Sequence, residues 1–177
     1  MKRKIDPKLE ENFLFNIVVP VFNAEKYIEK CLNSILKQTH NRYQVLIVDD
    51  CSSDSSYEIA SAICLENKNF KIFRNNRRIG ALHNIRNLLQ IKIKEPAKTV
   101  DLIVDGDDYL YSSDVLNILE EKYNQTNCLI TYGSHVSSNG VQGKKYPKLI
   151  REFNLFRKYF WYASHLKTFR HDLWLAI

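Results

Sequence analysis

The stretch LIVDGDDYL (102–110) places three carboxylates, Asp105, Asp107 and Asp108, within four positions at the end of an apolar run. Two aspartates separated by one residue can converge on a hard divalent cation, which takes oxygen ligands and fills its other positions with water or substrate phosphates. Such an ion also relieves the repulsion that like charges suffer at the end of a buried strand. Gly106 between them has no Cβ, so the backbone can turn sharply there or let a ligand approach closely. The competing explanation is a turn in which Asp107 and Asp108 only cap the next segment. A second acidic pair, Asp49 and Asp50 in YQVLIVDDCSSD, also ends an apolar run. There a carboxylate could accept hydrogen bonds from a base N–H or a ribose hydroxyl. Ser52, Ser53 and Asp54 suit a plain helix start equally well.

The elements that must position these groups alternate along the chain. FNIVVPVF (15–22) is a short β-branched run of the kind buried on both faces of a sheet. Asn23 offers an N-cap with Glu25 in the first turn, and Tyr27, Ile28, Cys31, Leu32, Ile35 and Leu36 recur at helical spacing. A second strand over 43–50 leads to a helix capped by Ser52 or Ser53. A third over 70–75 is followed by the polar loop NNRRIG and a helix over about 81–93. A fourth over 99–105 leads to the helix DVLNILEEKYNQ, capped by Ser112 or Ser113, and CLITYGSH (128–135) is a fifth. The pattern predicts an α/β fold with right-handed crossovers and a mainly parallel sheet sandwiched between helices. Ligands of open α/β sheets sit beyond the carboxyl ends of the strands, where strand order reverses. Asn23, Asp49, Asp50, residues 77–80, Asp105, Asp107 and Asp108 therefore fall on one rim. No G-x-G-x-x-G or G-x-x-x-x-G-K-[ST] occurs, so the phosphates of a bound nucleotide would need a cation or basic side chains.

At 177 residues and 45% hydrophobic, the chain (1–177) fits a single domain. No continuous apolar stretch is long enough for a membrane span, and MKRKIDPKLEENF lacks an apolar signal core, which predicts a soluble, cytoplasmic protein. The four cysteines have neither zinc nor disulfide spacing. From Val141 to Ile177, eight basic residues against Glu152 and Asp172 give +6, the net charge of the whole chain. A basic tail beside a neutral body suits phosphate groups, an acidic membrane surface or nucleic acid, or simply a solvated face. Only this tail argues for nucleic acid, so none is expected.

IVVPVFNAEKYIEKCLNSILKQTHNRYQVLIVDDCSSDSSYEIA, NRRIGALHNIRNLL and LIVDGDDYL, taken together, resemble the inverting family 2-type glycosyltransferases with the GT-A (Rossmann-like) fold, over residues 15–135. The resemblance implies transfer of a sugar from a nucleoside diphosphate sugar, with a UDP-sugar as the donor, to a hydroxyl of a glycan, lipid-linked or protein acceptor. It implies Pro20, Phe22, Asn23 and Asp50 at the nucleotide, with Gly80 and, more loosely, Arg78 beside it. It implies Asp105 at the ribose and metal, and Asp107 on an Mn²⁺ or Mg²⁺ ion bridging the diphosphate, while Asp108 matches an acidic position without a fixed role. SHLKTFRHDLW (164–174) resembles a segment in which a His completes the metal site, here His165. The other reading of His165 is a polar residue on an amphipathic helix with Leu166, Phe169 and Leu173 as its apolar side. FNLFRKYFWY suits core packing or a sugar-stacking surface. Asp172 and Glu152 are the late carboxylates, and neither matches the family's general-base motif, so the catalytic base is unassigned. A non-catalytic nucleotide-sugar-binding module, or the donor half of a larger glycan-synthesising enzyme, is the alternative. A nucleotidyltransferase would need a glycine-rich basic loop where VPVFNAEKY stands.

Overall fold

The β-branched runs form the parallel strands β1 (Leu14–Val21), β2 (Tyr43–Asp49), β3 (Phe70–Arg74) and β4 (Thr99–Ile103). Between them lie α1 (Ile28–Leu36), α2 (Ser56–Glu66) and α3 (Ala81–Leu89), followed by α4 (Val115–Thr126), β5 (Ile130–Gly133), β6 (Ser164–Arg170) and α5 (His171–Leu175). The computed structural model describes residues 12–137, 139–143 and 164–176. FNLFRKYFWY, Glu152 and most of the basic tail lie outside the described residues.

The six strands run in the order β3-β2-β1-β4-β6-β5, with β6 antiparallel to both β4 and β5. The sheet is therefore mixed, with its parallel part on the β3–β4 side. Strand order reverses between β1 and β4, which puts the crevice expected of such sheets beyond their carboxyl ends.

The segment 164–170 corrects the helix expected there. Leu166, Thr168 and Arg170 point one way along a strand, and their burial comes from specific partners. Thr168 Oγ1 bonds Tyr123 Oη at 2.8 Å and Thr131 Oγ1 at 2.6 Å. The Arg170 guanidinium lies 5.3 Å from the Phe13 ring and donates to the Ala97 carbonyl. Pairing with β6 also covers the edge that β4 would otherwise expose. Only His171–Leu175 is helical.

One face of the sheet is apolar. Phe15, Ile17, Val19 and Val21 alternate toward α1, α2 and α4, meeting Ile28, Leu32, Ile35, Ala60, Leu116 and Tyr123. Each such side chain, fully buried, contributes about 1.5–3 kcal/mol, so this layer dominates the fold. The opposite face packs Val18, Leu46 and Val48 on Leu88 and Leu89 of α3. It also carries a buried polar line across three strands. Gln44 donates to Asn16 Oδ1 (2.9 Å), Asn16 donates to Asp101 Oδ1 (2.7 Å), and Asp101 Oδ2 lies 2.7 Å from His171 Nδ1. Burial pushes the Asp101 carboxyl above its ordinary range, while Asn16 and His171 pull it back.

Candidate functional site

The rim begins where β1 ends. Pro20 sits in a central strand, a position proline normally avoids because it cannot donate to the ladder. Its carbonyl accepts Gly106 N–H (3.1 Å) as the Val18 carbonyl accepts Val104 N–H (3.0 Å), and its ring nitrogen, on the same side, has no proton for the bond between them, so the regular β1–β4 pairing stops at Val18–Ile103. Gly106 is needed for closeness: a Cβ there would stand 3.1 Å from the Pro20 carbonyl oxygen and 3.2 Å from Val21 Cγ2.

Beyond Val21, the loops after β1 and β2 are fastened to each other. Asn23 takes a left-handed φ of 49°. Its N–H donates to Ser52 Oγ (3.0 Å), and its Oδ1 accepts Ser53 N–H (2.9 Å). Ser56 Oγ accepts Ala24 N–H (2.7 Å). This corrects the expected caps. Asn23 and Ser52 join the two loops instead of capping helices, a short turn from Ala24 precedes α1, and Asp54 accepts the Ser56 N–H at the start of α2 (3.0 Å). Likewise Ser112 pairs with Asp114, while Gln38 Oε1 accepts the Leu116 N–H of α4 (3.2 Å).

Asp50 is buried and filled by the protein itself. Oδ1 accepts Ile79 N–H (2.9 Å) and Asn75 Nδ2 (2.8 Å), and Oδ2 accepts Gly80 N–H (2.8 Å). Burial pulls its pKa up, but the hydrogen bonds outweigh it and hold the value down to about 2. Asn84 contributes to that lowering, although its Nδ2 finds no hydrogen-bond partner of normal geometry. Asp50 thus ties the end of β2 to the loop after β3, and Gly80 takes a φ of 91° that suits glycine. Arg78, on that loop, lays its guanidinium 3.8 Å from the Phe22 ring, a flat platform at the rim. Phe22 is 38% exposed. Asp49 is turned away, with Oδ2 3.3 Å from Arg74 Nε and accepting Ser52 N–H.

The loop after β4 is held from behind by α1. Asp108 N–H closes a turn on the Asp105 carbonyl (2.9 Å), and the same carbonyl lies 3.7 Å from Cys31 Sγ. Ser34 Oγ accepts Leu110 N–H (3.0 Å), and Gln38 Nε2 donates to the Ser112 carbonyl (2.6 Å). Thr39 N–H donates to the Ser113 carbonyl (2.8 Å). Cys31, Ser34 and Gln38 were not foreseen as site residues, although Gln38, a polar residue seven positions after Cys31 on the core-facing stripe, is visible in the sequence.

The carboxylates on this loop are disposed unlike Asp50. Asp105 and Asp108 are half-buried. Asp107 is exposed and makes no hydrogen bond or ion pair among the described residues. Their negative field reaches inward: burial first, and then Asp108, Asp107 and Asp105, push the Cys31 thiol up to about 12. Among the described residues no three His, Cys, Asp or Glu side chains form a closed ion site. The donor set fits an open one instead, with Asp105 and Asp107 carboxylates for a hard ion that takes its other ligands from phosphate and water.

The late candidates separate. The Ile103–Lys167 pair of the β4–β6 ladder leaves His165 two residues further along β6, toward the carboxyl end of β4. The Val100–Arg170 pair places Asp172 by the amino end of β4, at the opposite edge of the sheet, so it is no candidate for a base at the rim.

Pro20, Phe22, Asn23, Asp50, Arg78, Gly80, Asp105 and Asp107 thus share one edge of one sheet. The family model of glycosyl transferase family 2 matches residues 16–175. The chain belongs to that family. It is 29% identical over 166 residues to the poly(ribitol-phosphate) beta-N-acetylglucosaminyltransferase TarS of Staphylococcus aureus, covering 90% of this chain and 28% of TarS. It is 33% identical over 143 residues to a poly(ribitol-phosphate) beta-glucosyltransferase of Bacillus spizizenii, covering 78% of this chain and 21% of that enzyme. The chain spans less than half the length of the curated relatives it matches. Among solved structures, TarS 1–349 in complex with UDP-GlcNAc superposes with a TM-score of 0.72 at 23% identity, over 93% of this chain and 47% of that one. The mannosyltransferase PcManGT of Pyrobaculum calidifontis, in complex with GDP-Man and Mn²⁺, gives 0.68 at 16% identity, over 98% of this chain and 48% of its own. Both likenesses establish the GT-A fold. No helix among the described residues is long and apolar enough to cross a membrane.

Proposed function

We propose that the protein transfers a sugar from a nucleoside diphosphate sugar, a UDP-sugar, to a hydroxyl on a glycan, lipid-linked or protein acceptor, with inversion at the anomeric carbon. The observation that carries this reading is the contrast along one rim: Asp107 stands exposed and unpaired at the switch point, while every neighbouring loop is fastened by hydrogen bonds. A rigid edge with an exposed carboxylate that no other described group engages is built to receive a ligand. Membership of the family, and relatives whose structures hold UDP-GlcNAc or GDP-Man, support the ligand class.

In this reading the Phe22–Arg78 platform receives the base, and Asp50 keeps the Ile79–Gly80 backbone in place beside it. Asn23 and Pro20 shape the floor. Asp105 and Asp107 hold an Mn²⁺ or Mg²⁺ ion, with His165 carried toward them by the register of β6. When bound, that ion supplies Lewis-acid stabilisation of charge on the departing diphosphate. Asp107, being exposed, can take up its partner without breaking any bond of the fold.

The test is a thermal-shift series on the full chain with UDP, GDP, UDP-GlcNAc and UDP-glucose, with and without Mn²⁺, followed by an assay of UDP release. Stabilisation by uridine nucleotides that requires Mn²⁺ is expected, since a ligand at a hundred times its Kd adds about 2.7 kcal/mol to stability. Absence of any nucleotide-dependent shift would overturn the reading. Binding without sugar release would leave a donor-binding module.

A further inference from the structure

A cleft of about 510 Å³ runs along the outward face of α1, closed on its other side by residues 109–113. Ligand sites occupy about 300–1,000 Å³, so this one is large enough for several linked units of a chain. Lys26 in the turn before α1, Lys30 and Asn33 on it and Lys37 just past its end line the cleft at spacings of four, three and four, along one side of that segment. Facing them are Tyr109 and Tyr111, 46% and 82% exposed. Lys30 Nζ lies 3.6 Å from the centroid of the Tyr109 ring, a contact that orients both groups. The loop bearing the two rings is fixed from behind by Ser34, Gln38 and Thr39. Two carboxylates also line the cleft, but Glu25 accepts Ser55 N–H (3.2 Å) from the start of α2, which leaves Glu29 against three ammonium groups. Tyr109 directly follows Asp108 in the chain, so the wall of the cleft is the continuation of the acidic loop.

Exposed aromatic faces on a fastened loop suit the C–H faces of sugars or polyols, because the ring face is electron-rich. Ammonium groups in a row suit phosphates recurring along a chain. We propose that this cleft binds an anionic, phosphate-bearing carbohydrate or polyol chain, the body of a polymeric acceptor whose reacting end lies at the Asp105–Asp107 rim. The proposal rests on the glycosyltransferase reading above and gives its acceptor a class and a place. Two relatives are named for transfer to poly(ribitol phosphate), a polymer of that chemistry.

The test measures affinity of the full chain for a poly(ribitol phosphate) preparation, for neutral dextran and for phosphatidylglycerol vesicles, with UDP affinity in Mn²⁺ read separately. The K26Q/K30Q/K37Q variant carries the decision. Loss of three exposed charge contacts predicts a loss of about threefold to a hundredfold in affinity for the anionic polymer, with UDP affinity unchanged. Added salt should weaken wild-type binding in the same direction, and Tyr111→Ala should weaken it severalfold. An unaltered polymer affinity in the triple variant would overturn the proposal, as would dextran or the vesicles binding as tightly as the polymer. If UDP fails to bind while lysine-dependent polymer binding persists, the donor reading falls and the cleft stands; the reverse result removes the cleft alone.

Discussion

The aspartates that end β2 and those that follow β4 flank the same central strand, and their charges are met in opposite ways. Asp50 takes three hydrogen bonds from the protein and serves to hold the loop after β3. Asp107 takes none among the described residues, although its loop is fastened through the backbone at Asp108, Leu110 and Ser112. One carboxylate stabilises the fold, and the other is bonded to none of the described residues. The difference teaches that an acidic strand end must be judged by whether its oxygens are already occupied, which decides whether its removal costs stability or affinity.

Asp101 sets the upper end of that scale, since both of its oxygens are engaged in the interior by Asn16 and His171. His171→Ala removes one member of a buried pair and should cost about 3–5 kcal/mol. Chemical denaturation measures it, and a loss below about 1 kcal/mol would show that occupancy does not govern the cost. Asp107→Asn should do the reverse. Stability should stay within about 0.5 kcal/mol, as for exposed sites without partners, while metal-dependent UDP affinity falls by about a hundredfold or more, beyond the 10–100-fold typical of residues that only support a ligand. Titration calorimetry on a variant whose melting curve is unchanged makes the contrast; equal affinity in wild type and variant would erase it.

Asp50→Asn falls between them. The amide cannot accept from all three donors, so about 2–3 kcal/mol should be lost at neutral pH, the cost of leaving buried groups unpaired. The pH dependence has a definite sign. The folded-state pKa is depressed to about 2 from 3.8, so the stabilisation is present in full above about pH 4 and is lost as the pH falls toward 2. Denaturation curves of wild type and variant should therefore converge over that window. A gap that stays constant from pH 5 to pH 2 would mean that the charge of Asp50 is not what the loop senses.

Much of this was legible beforehand for a physical reason. Apolar runs such as FNIVVPVF and YQVLIVDD are buried on both faces, so composition alone marks them as parallel strands, and the acidic residues at their ends fall on the rim by topology. The caps were not legible. Asn23 and Ser52 are good capping residues wherever they stand, and only the approach of two loops in space turns them toward each other. The segment 164–170 misled because Leu166, Phe169 and Leu173 satisfy helical spacing, whereas the strand buries Thr168 and Arg170 through Tyr123, Thr131, Phe13 and Ala97, all distant in sequence. The filled state of Asp50 was equally hidden, since two of its three donors are backbone groups that carry no sequence signal and the third, Asn75 Nδ2, comes from the end of another strand.

The smallest effect is the most discriminating. Ser34 Oγ donates to the Cys31 carbonyl (2.6 Å) and accepts Leu110 N–H (3.0 Å), joining α1 to the loop that carries Asp105 and Asp107. Ser34→Ala deletes both bonds at a half-buried position, a cost of about 1 kcal/mol. If that were its whole role, Mn²⁺ affinity in the presence of UDP would follow stability and scarcely change. A positioning role predicts a loss of about tenfold in Mn²⁺ affinity, within the range for groups that orient metal ligands. Ser34→Thr, which keeps the hydroxyl, should restore it. Recovery of stability in the threonine variant without recovery of metal affinity would place the origin of loop order elsewhere on α1, with Gln38 and its bond to the Ser112 carbonyl next to be tested.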